Sequence, residues 1–143
     1  MEHAAYVYTG GLSEEAVEER LRSGDHGVLG LADGDDAYAV PLSYHYDGDA
    51  FLLRVSDHDG HSEKRGFIEA TETATFVCYG ATDSGSWSVQ IRGPLREWQG
   101  DADEERINEW FPAFRLFDEA IENVGFTLYE LQMEAVVGRE TIE

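Results

Sequence analysis

Two Asp-Gly turns between short apolar segments restrict this chain to a fold of antiparallel strands. The turns are "DGDD" at residues 33–36 and "DGD" at residues 47–49. Asp-Gly pairs accept the positive φ angles of tight hairpins, which join antiparallel neighbours. Together with the strands predicted after them, they indicate a small antiparallel barrel with a few peripheral helices. The predicted strands cover residues 27–32, 37–46, 50–55, 73–80, 87–98 (broken at Gly93-Pro94) and 126–138.

Pro41 marks an unusual place within the second predicted strand. Proline has no N–H to donate to a ladder, so the backbone there should lie at an edge, at a bulge or beside a ligand. Helices are predicted around the strands from N-cap residues, acidic first turns and glycine stops. They run from Ser13 to Gly24, from Ser62 to about Ala70, over 101–111 with Asp101 or Asp103 as cap, and on from 113 after Pro112.

The charge of the chain excludes several classes of partner. Its 143 residues, predicted to form one domain over 1–143, carry 30 Asp and Glu against 10 Lys and Arg, a net charge of −20. Such a chain repels nucleic acids and anionic membranes. The acids are dispersed, and Lys64 is the only lysine, which is typical of proteins from salt-loving organisms. The single cysteine, Cys78, and the lack of a signal-peptide pattern or an apolar span predict a cytoplasmic protein.

The scarce cations gather around one loop, "SDHDGHSEKRG" at residues 56–66, with Arg54 just before it. If Ser62 caps a helix, free backbone N–H groups and the positive helix end favour an anion, to which Lys64 and Arg54 add charge. This pattern favours a bound phosphate. Surface ion pairs are the alternative, and a metal site is a weaker one because the acids of a calcium loop are missing. The ion pairs would use Glu63, Glu69 or Asp59, and the metal would use Asp57, His58, Asp59 and His61.

Other chemically capable residues give weaker signals. His45, beside Tyr44 on a predicted strand, is either a general acid or a surface side chain. Cys78 lies within a strand and is expected to be a small core residue rather than a nucleophile. Trp87 either stacks on a flat ring or belongs to the core. No Ser-His-Asp order, nucleophile elbow or phosphate-binding glycine loop can be recognised.

The segment "YAVPLSYHYDGDAFLLRVSDHDGHSEKRGFIEATETATFVCYG", followed by "WSVQIRGPL", resembles the pyridoxamine 5′-phosphate oxidase-related flavoproteins with an FMN-binding split barrel. It is most similar to the short members that include nitroimidazole-resistance-like proteins. The resemblance covers about residues 24–100, and "LQMEAVVGRE" matches the usual last strand of the family.

The resemblance implies a mainly β protein, a six-stranded antiparallel split β-barrel of Greek-key topology with peripheral α-helices. It also implies a homodimer with FMN between the subunits and a small-molecule redox substrate; no metal is predicted. The second strand would follow the isoalloxazine ring, the end of the third would approach the phosphate, and Ser-x-Lys would bind that phosphate. The implied FMN-binding residues are Tyr38, Ala39, Val40, Pro41, Ser43, Arg54, Val55, Ser62, Lys64, Trp87 and Ser88.

The sequence also departs from the true oxidases of that family. Glu63 stands where they commonly carry Arg or Lys. On the second strand, Tyr38 and Ser43 stand where they commonly carry basic residues. The chain also lacks their basic C-terminal segment, so pyridoxamine phosphate is not the expected substrate. The predicted function is therefore an FMN-dependent oxidoreductase of unassigned substrate, with His45 as the first choice of acid or base. The alternatives are a non-catalytic flavin-binding sensor, a deazaflavin-dependent reductase and a haem-binding relative on the same fold.

Overall fold

The computed structural model describes residues 9–57, 62–111 and 125–141, which form one curled antiparallel sheet with three helices packed against it. Within these residues, no helix is long and apolar enough to cross a membrane. The strands are β1 (Thr9–Gly11), β2 (His26–Asp33), β3 (Asp36–Tyr46), β4 (Phe51–Asp57), β5 (Ala74–Thr82), β6 (Gly85–Gly93), β7 (Leu95–Glu97), β8 (Gly125–Leu131) and β9 (Ala135–Thr141). The helices are α1 (Glu14–Ser23), α2 (Ser62–Ala70) and α3 (Glu104–Trp110).

The two predicted Asp-Gly turns form the hairpins on both sides of β3. Gly34 has φ of 61° between β2 and β3, and Gly48 has φ of 95° between β3 and β4. The Asp47 carboxylate accepts the N–H groups of Asp49 and Ala50 at 2.8 and 2.9 Å and so fixes the second turn. The sheet order is β1-β9-β6-β5-β2-β3-β4-β8-β7.

The sheet curls back on itself because two ribbons bend side by side. β6 gives way to β7 at Gly93-Pro94, as predicted, and β8 gives way to β9 at residues 132–134. Two backbone hydrogen bonds of 3.0 Å join the bends, one from the Gln132 N–H to the Pro94 carbonyl and one from the Glu134 N–H to the Arg92 carbonyl. Because β8 pairs with β4 while β9 pairs with β6, the two ends of the sheet are connected.

The prediction of one continuous strand over 126–138 is therefore wrong. The interruption depends on Gly93, where any side chain would overlap the Gln132 carbonyl oxygen, and so on a contact between distant residues. If each bent ribbon is counted as one strand, the six predicted strands are all present, and the short β1 is an addition. The predicted mainly β, antiparallel split barrel is confirmed.

The interior of the curled sheet holds one apolar core. Alternate residues of the strands point inward, and the helix α1 closes one side with Val17 and Leu21. The buried Tyr44 hydroxyl donates to the Leu21 carbonyl at 2.7 Å. Cys78 is buried in this core, as predicted, and burial raises the pKa of its thiol to about 12. The largest fully buried side chains include Leu29, Phe51, Leu53, Phe76, Val89 and Ile91.

Two of the helices have the predicted N-caps. The Ser13 hydroxyl accepts the Ala16 N–H at 3.1 Å, and Asp103, rather than Asp101, accepts the Arg106 N–H at 2.9 Å. The helix predicted after Pro112 lies outside the described residues. The helix α3 covers the β4–β8 part of the sheet from outside through a second apolar cluster. The buried members of that cluster are Leu52, Phe111 and Leu128.

Candidate functional site

Among the described residues, the edge of β3 that faces β4 has no paired strand along more than half of its length. β2 pairs with β3 from Asp36 to Ser43, whereas β4 pairs with β3 only from Tyr44 to Tyr46. Pro41 lies in the middle of the unpaired part and has Val28 of β2 as its partner on the other side. The expectation that Pro41 marks an edge is therefore confirmed. We call residues 38–43 on this side the open edge of β3.

Backbone alternation determines which peptide groups the open edge presents. The Tyr44 N–H donates to the Asp25 carbonyl at 2.9 Å, toward the β2 side. In an antiparallel strand, the N–H and C=O of successive residues point to alternate sides. The peptide groups of Ala39 and Ser43 therefore point to the open edge, as does the carbonyl of Pro41. These groups can hydrogen-bond the polar rim of a flat molecule.

The side chains of the same segment divide between the two faces of the sheet. Val40 is buried in the core, and Tyr38 stacks on Phe67 of α2 with ring centroids 5.1 Å apart. Ala39, Pro41 and Ser43 lie on the opposite side, which we call the outer face. Of the five residues predicted along the cofactor ring, Tyr38 and Val40 direct their side chains to the inner side of the sheet and their peptide groups toward β2. Neither therefore contributes a polar group to the open edge.

Arg54 is a partly buried cation on the strand across the opening. Its neighbour Val55 is buried in the core, so the Arg54 side chain lies on the outside, with its Cζ atom 4.4 Å from the Phe126 ring. Among the described residues, no carboxylate lies within ion-pair distance of it. Partial burial lowers the pKa of the guanidinium. An arginine without a described counter-ion is notable in a chain of net charge −20.

The helix α2 begins directly after the cationic loop and is fixed to the sheet at its far end. Ile68 is buried in the core, and the Thr71 hydroxyl accepts the Ala32 N–H at 2.9 Å. Lys64 is partly buried in the first turn, whereas Arg65 is exposed. Three of the four residues of the metal alternative, His58, Asp59 and His61, lie outside the described residues, as does Gly60. Elsewhere in the described chain, no three His, Cys, Asp or Glu side chains come together as a metal site.

Trp87 and Ser88 occupy opposite faces of β6. The Trp87 ring packs against the core cluster and lies under the Arg20 guanidinium of α1, with its centroid 4.7 Å from Cζ. Ser88 lies on the outer face, where Tyr79 is its cross-strand partner. The indole is thus placed as the core interpretation expected, and Ser88 shares the outer face with Pro41 and Ser43.

The strand positions of the outer face carry no carboxylate over the five neighbouring strands β9-β6-β5-β2-β3. Alternation along β2, β3, β5, β6 and β9 assigns it mainly small, apolar or neutral polar residues. Tyr79 and Val137 are 67% and 48% exposed there. None of the positions is Asp or Glu, although the chain has 30 such residues. The positions include His26, Val28, Gly30, Ala39, Pro41, Ser43, Thr75, Val77, Tyr79, Ser88, Gln90, Arg92, Ala135, Val137 and Arg139.

The two described histidines lie in different surroundings. His45 stacks flat on Trp110, with centroids 5.0 Å apart and an interplanar angle of 8°, and burial lowers its pKa although Asp47 opposes the shift. His26 lies on the outer face, with its Nδ1 atom 2.6 Å from an Asp25 carboxylate oxygen. His26 was not among the predicted site residues; the adjacent Asp25-His26 pair at the start of β2 was the available signal.

Comparison with known proteins agrees with this architecture. Residues 13–140 match the family model of pyridoxamine 5′-phosphate oxidase. No curated protein matches the sequence. An FAD-binding protein from Mesorhizobium loti is similar in structure, with a TM-score of 0.68, 18% identity, and 94% and 98% of the two chains covered. The FAD-binding protein from Mycobacterium smegmatis gives 0.67, 18%, 92% and 98%. A candidate 5-nitroimidazole antibiotic resistance protein from Bacteroides thetaiotaomicron gives 0.59, 16%, 93% and 87%.

Proposed function

Because this chain belongs to the pyridoxamine 5′-phosphate oxidase family, we propose that it binds FMN and acts as a flavin-dependent oxidoreductase. The observation that carries the proposal is the open edge of β3, with Pro41 at its centre. A bound ring system would satisfy backbone groups that no described strand pairs, and unpaired backbone groups are costly when buried. The similarity to FAD-binding proteins supports a flavin cofactor in general. That this flavin is FMN, with its single phosphate, is the more specific part of what we propose.

Arg54 and the first turn of α2 are proposed to hold the cofactor phosphate. Arg54 has no described carboxylate partner, so an anion would neutralise it without breaking an existing ion pair. Ser62 and Lys64 open a helix of nine residues, whose first N–H groups favour an anion. Guanidinium and ammonium groups form charge-assisted hydrogen bonds with phosphate. The surface ion-pair alternative for Lys64 remains the competing explanation.

The protein's own part in such a reaction is to bind and orient. A bound flavin supplies the hydride or electron transfer. The open edge would fix the ring plane through the peptide groups of Ala39 and Ser43, and the proline side chain of Pro41 would limit water there. Arg54 and Lys64 would fix the position of the ring along the open edge by binding the phosphate of the cofactor. Of the other predicted residues, Ser88 would face the ring from the outer face, whereas Tyr38, Val40, Val55 and Trp87 would support the site from the inner side of the sheet.

We also propose that the chain is a homodimer joined through the outer face. Among the described strand positions of the outer face on β2, β3, β5, β6 and β9, none is Asp or Glu, so two copies of so acidic a chain would meet little repulsion there. Its exposed apolar residues, Val137 and Tyr79, would be covered by the same contact. Since Ala39, Pro41 and Ser43 lie on this face beside the open edge, a flavin bound there would lie between the subunits.

The cofactor proposal is tested by titrating the purified protein with FMN and recording absorption and fluorescence. Lys64→Ala and Arg54→Ala should each weaken binding about 10-fold or more, as expected for a charge-assisted hydrogen bond. Arg65→Ala removes the same charge from the next residue and should leave affinity within about 2-fold. Undiminished affinity in both Lys64→Ala and Arg54→Ala would contradict the phosphate assignment.

Turnover and cofactor type need separate measurements. Reduction of the bound flavin by NADH, NADPH or a reduced deazaflavin, followed by stopped-flow absorption, would support the oxidoreductase. No reduction by any of them would favour the flavin-binding sensor. A one-band deazaflavin spectrum or an intense haem band in the purified protein would instead support one of the other relatives on this fold.

The dimer is tested by light scattering at high salt. Val137→Asp places a carboxylate on the outer face and should produce monomers. Val136→Asp is the matched control, because the next residue of β9 points to the other side of the sheet. Equal masses for the two variants would contradict an interface at the outer face.

A further inference from the structure

The open edge of β3 ends at the point where β4 separates from it. Ser43 is the last residue before the β3–β4 pairs begin at Tyr44 and Leu53. Continued by one residue, this register brings Arg54 level with Ser43 across the opening. Alternation along both strands puts the two side chains on the outer side of the sheet. We call this place, between Ser43 and Arg54, the closed end of the open edge.

The hydroxyl at the closed end is a nearly buried polar group that still has access to solvent. Ser43 is only 8% exposed although it lies outside the apolar core. Within the described chain, its hydroxyl makes no hydrogen bond. No fully enclosed side-chain N or O atom of the described residues lacks a partner, so this hydroxyl oxygen remains accessible. It can therefore donate or accept a hydrogen bond from a molecule bound at the open edge.

An aromatic stack lies on the outer side of the same end. His45 follows Ser43 by two residues on the same face of β3, about 7 Å along the strand. Its imidazole stacks on Trp110 with centroids 5.0 Å apart and an interplanar angle of 8°. The helix α3 packs on Leu52, the β4 partner of His45, so the indole lies toward β4. A ring bound along residues 38–43 would therefore end beside this indole.

We propose that the closed end receives the pyrimidine end of the bound flavin, with the Ser43 hydroxyl hydrogen-bonded to that ring and the Trp110 indole in contact with it. The inference rests on the proposed function and adds the direction in which the ring lies. The pyrimidine end of a flavin carries carbonyl groups and an N–H, with which a hydroxyl can pair as donor or acceptor. The dimethylbenzene end is apolar and would lie toward Ala39, whose side chain is a methyl group.

His45 is a positioning residue in this arrangement. Its flat stack fixes the plane of the Trp110 indole, and Trp98 meets the same indole edge-on with centroids 5.7 Å apart. An indole that is already held in place loses little side-chain freedom when a planar ring binds beside it.

The first test measures the affinity of the full chain for FMN and for analogues modified at one end of the ring. A methyl group on N3, at the pyrimidine end, should weaken binding about 10-fold or more, because it removes the N–H and adds bulk at the closed end. A larger substituent at position 8, at the dimethylbenzene end, should weaken binding much less. The reverse order, or equal losses, would overturn the proposed direction of the ring.

The second test removes the hydroxyl. Ser43→Ala should weaken FMN binding about 3- to 10-fold, the range expected for one hydrogen bond. Ser84→Ala removes an exposed hydroxyl from the turn between β5 and β6 and should bind FMN as the natural chain does. Equal affinities of the two variants would contradict the hydrogen bond from Ser43.

The third test locates Trp110 by the fluorescence lifetime of the bound flavin. An indole in contact with an excited flavin quenches it by electron transfer, so Trp110→Phe should lengthen the lifetime and Trp98→Phe should not. His45→Phe keeps a flat ring against the indole and should retain the short lifetime, whereas His45→Leu should lengthen it. Circular dichroism shows whether each variant is folded.

The outcomes separate this inference from the proposed function. If the natural chain binds FMN while Ser43→Ala keeps its affinity and Trp110→Phe its lifetime, the inference is wrong and the proposed function stands. If the natural chain binds no flavin, both fail.

Discussion

Gly93→Ala should destabilise the protein severely, because it blocks the bend that connects the two ends of the sheet. A Cβ at this position would overlap the Gln132 carbonyl oxygen and lie 2.8 Å from the Gln132 carbonyl carbon and 3.3 Å from the Glu134 nitrogen. All three atoms are backbone, so no side-chain rotation relieves the overlap. The paired ribbons must separate, which endangers the bonds from Gln132 to Pro94 and from Glu134 to Arg92.

The expected loss is about 3 kcal/mol or more, from the upper range for overpacking plus part of two backbone hydrogen bonds. With a urea m-value of about 2 kcal/mol per M, the midpoint should fall by about 1.5 M. Gly30→Ala is the matched control. Neither glycine has a positive φ, and the closest atom to a Cβ at Gly30 is the Thr75 carbonyl oxygen at 3.5 Å, an ordinary contact.

Gly30→Ala should therefore change stability by less than about 1 kcal/mol, with a small gain from the lower entropy of the unfolded chain. Urea unfolding of the three proteins, followed by tryptophan fluorescence and by circular dichroism, measures the difference. If the midpoints of Gly93→Ala and Gly30→Ala agree, the bend does not depend on the absence of a side chain.

Three further predictions concern the core and the anchoring of α2. Tyr44→Phe should cost about 1–3 kcal/mol in chemical denaturation, because the buried Leu21 carbonyl loses the hydroxyl 2.7 Å away; a loss below about 0.5 kcal/mol would mean that water replaces it. The free energy of unfolding should fall as pH rises above about 9, since the thiol of Cys78 ionises there only in the unfolded chain, its native pKa being raised to about 12 by burial. Cys78→Ala should flatten that slope, and an unchanged slope would assign it to other groups. Thr71→Val should speed hydrogen exchange of the Ala32 amide, which the hydroxyl accepts at 2.9 Å, whereas Thr71→Ser should retain protection; equal exchange in both would show that the hydroxyl does not hold the helix.

The sequence predicted those parts of the fold that depend on neighbouring residues. The hairpins followed from Asp-Gly turns, and the caps of α1 and α3 followed from Ser13 and Asp103. The break at residues 132–134 could not be predicted in this way, because it is imposed by Gly93, which is far away in the sequence. The short β1 was missed for the same reason, since its pairing partner is β9.

The candidate site was predictable in its residue types but not in its geometry. Pro41 indicated an edge, but the extent of the open edge depends on where β4 separates from β3. The resemblance assigned both Trp87 and Ser88 to the cofactor, although neighbouring residues of a strand point to opposite faces. In the structure, Trp87 packs inward and Ser88 lies on the outer face. His45 was selected as acid or base, but its stacking on Trp110 of α3 depends on residues distant in the sequence and could not be predicted. The salt-adapted character and the cytoplasmic location stay predictions.

The paired bends at Gly93-Pro94 and residues 132–134 have a consequence for folding during synthesis on the ribosome. The ribbon that joins the two sheet ends combines residues 85–97 with residues 125–141, which are synthesised well after them. Until residues 125–141 emerge, the earlier hairpins can pair only with one another, and β6 lacks β9 as its neighbour. Such late, sequence-distant pairing slows folding and exposes strand edges to other chains. The dispersed negative charge would then keep nascent molecules apart during the interval when they are most vulnerable to aggregation.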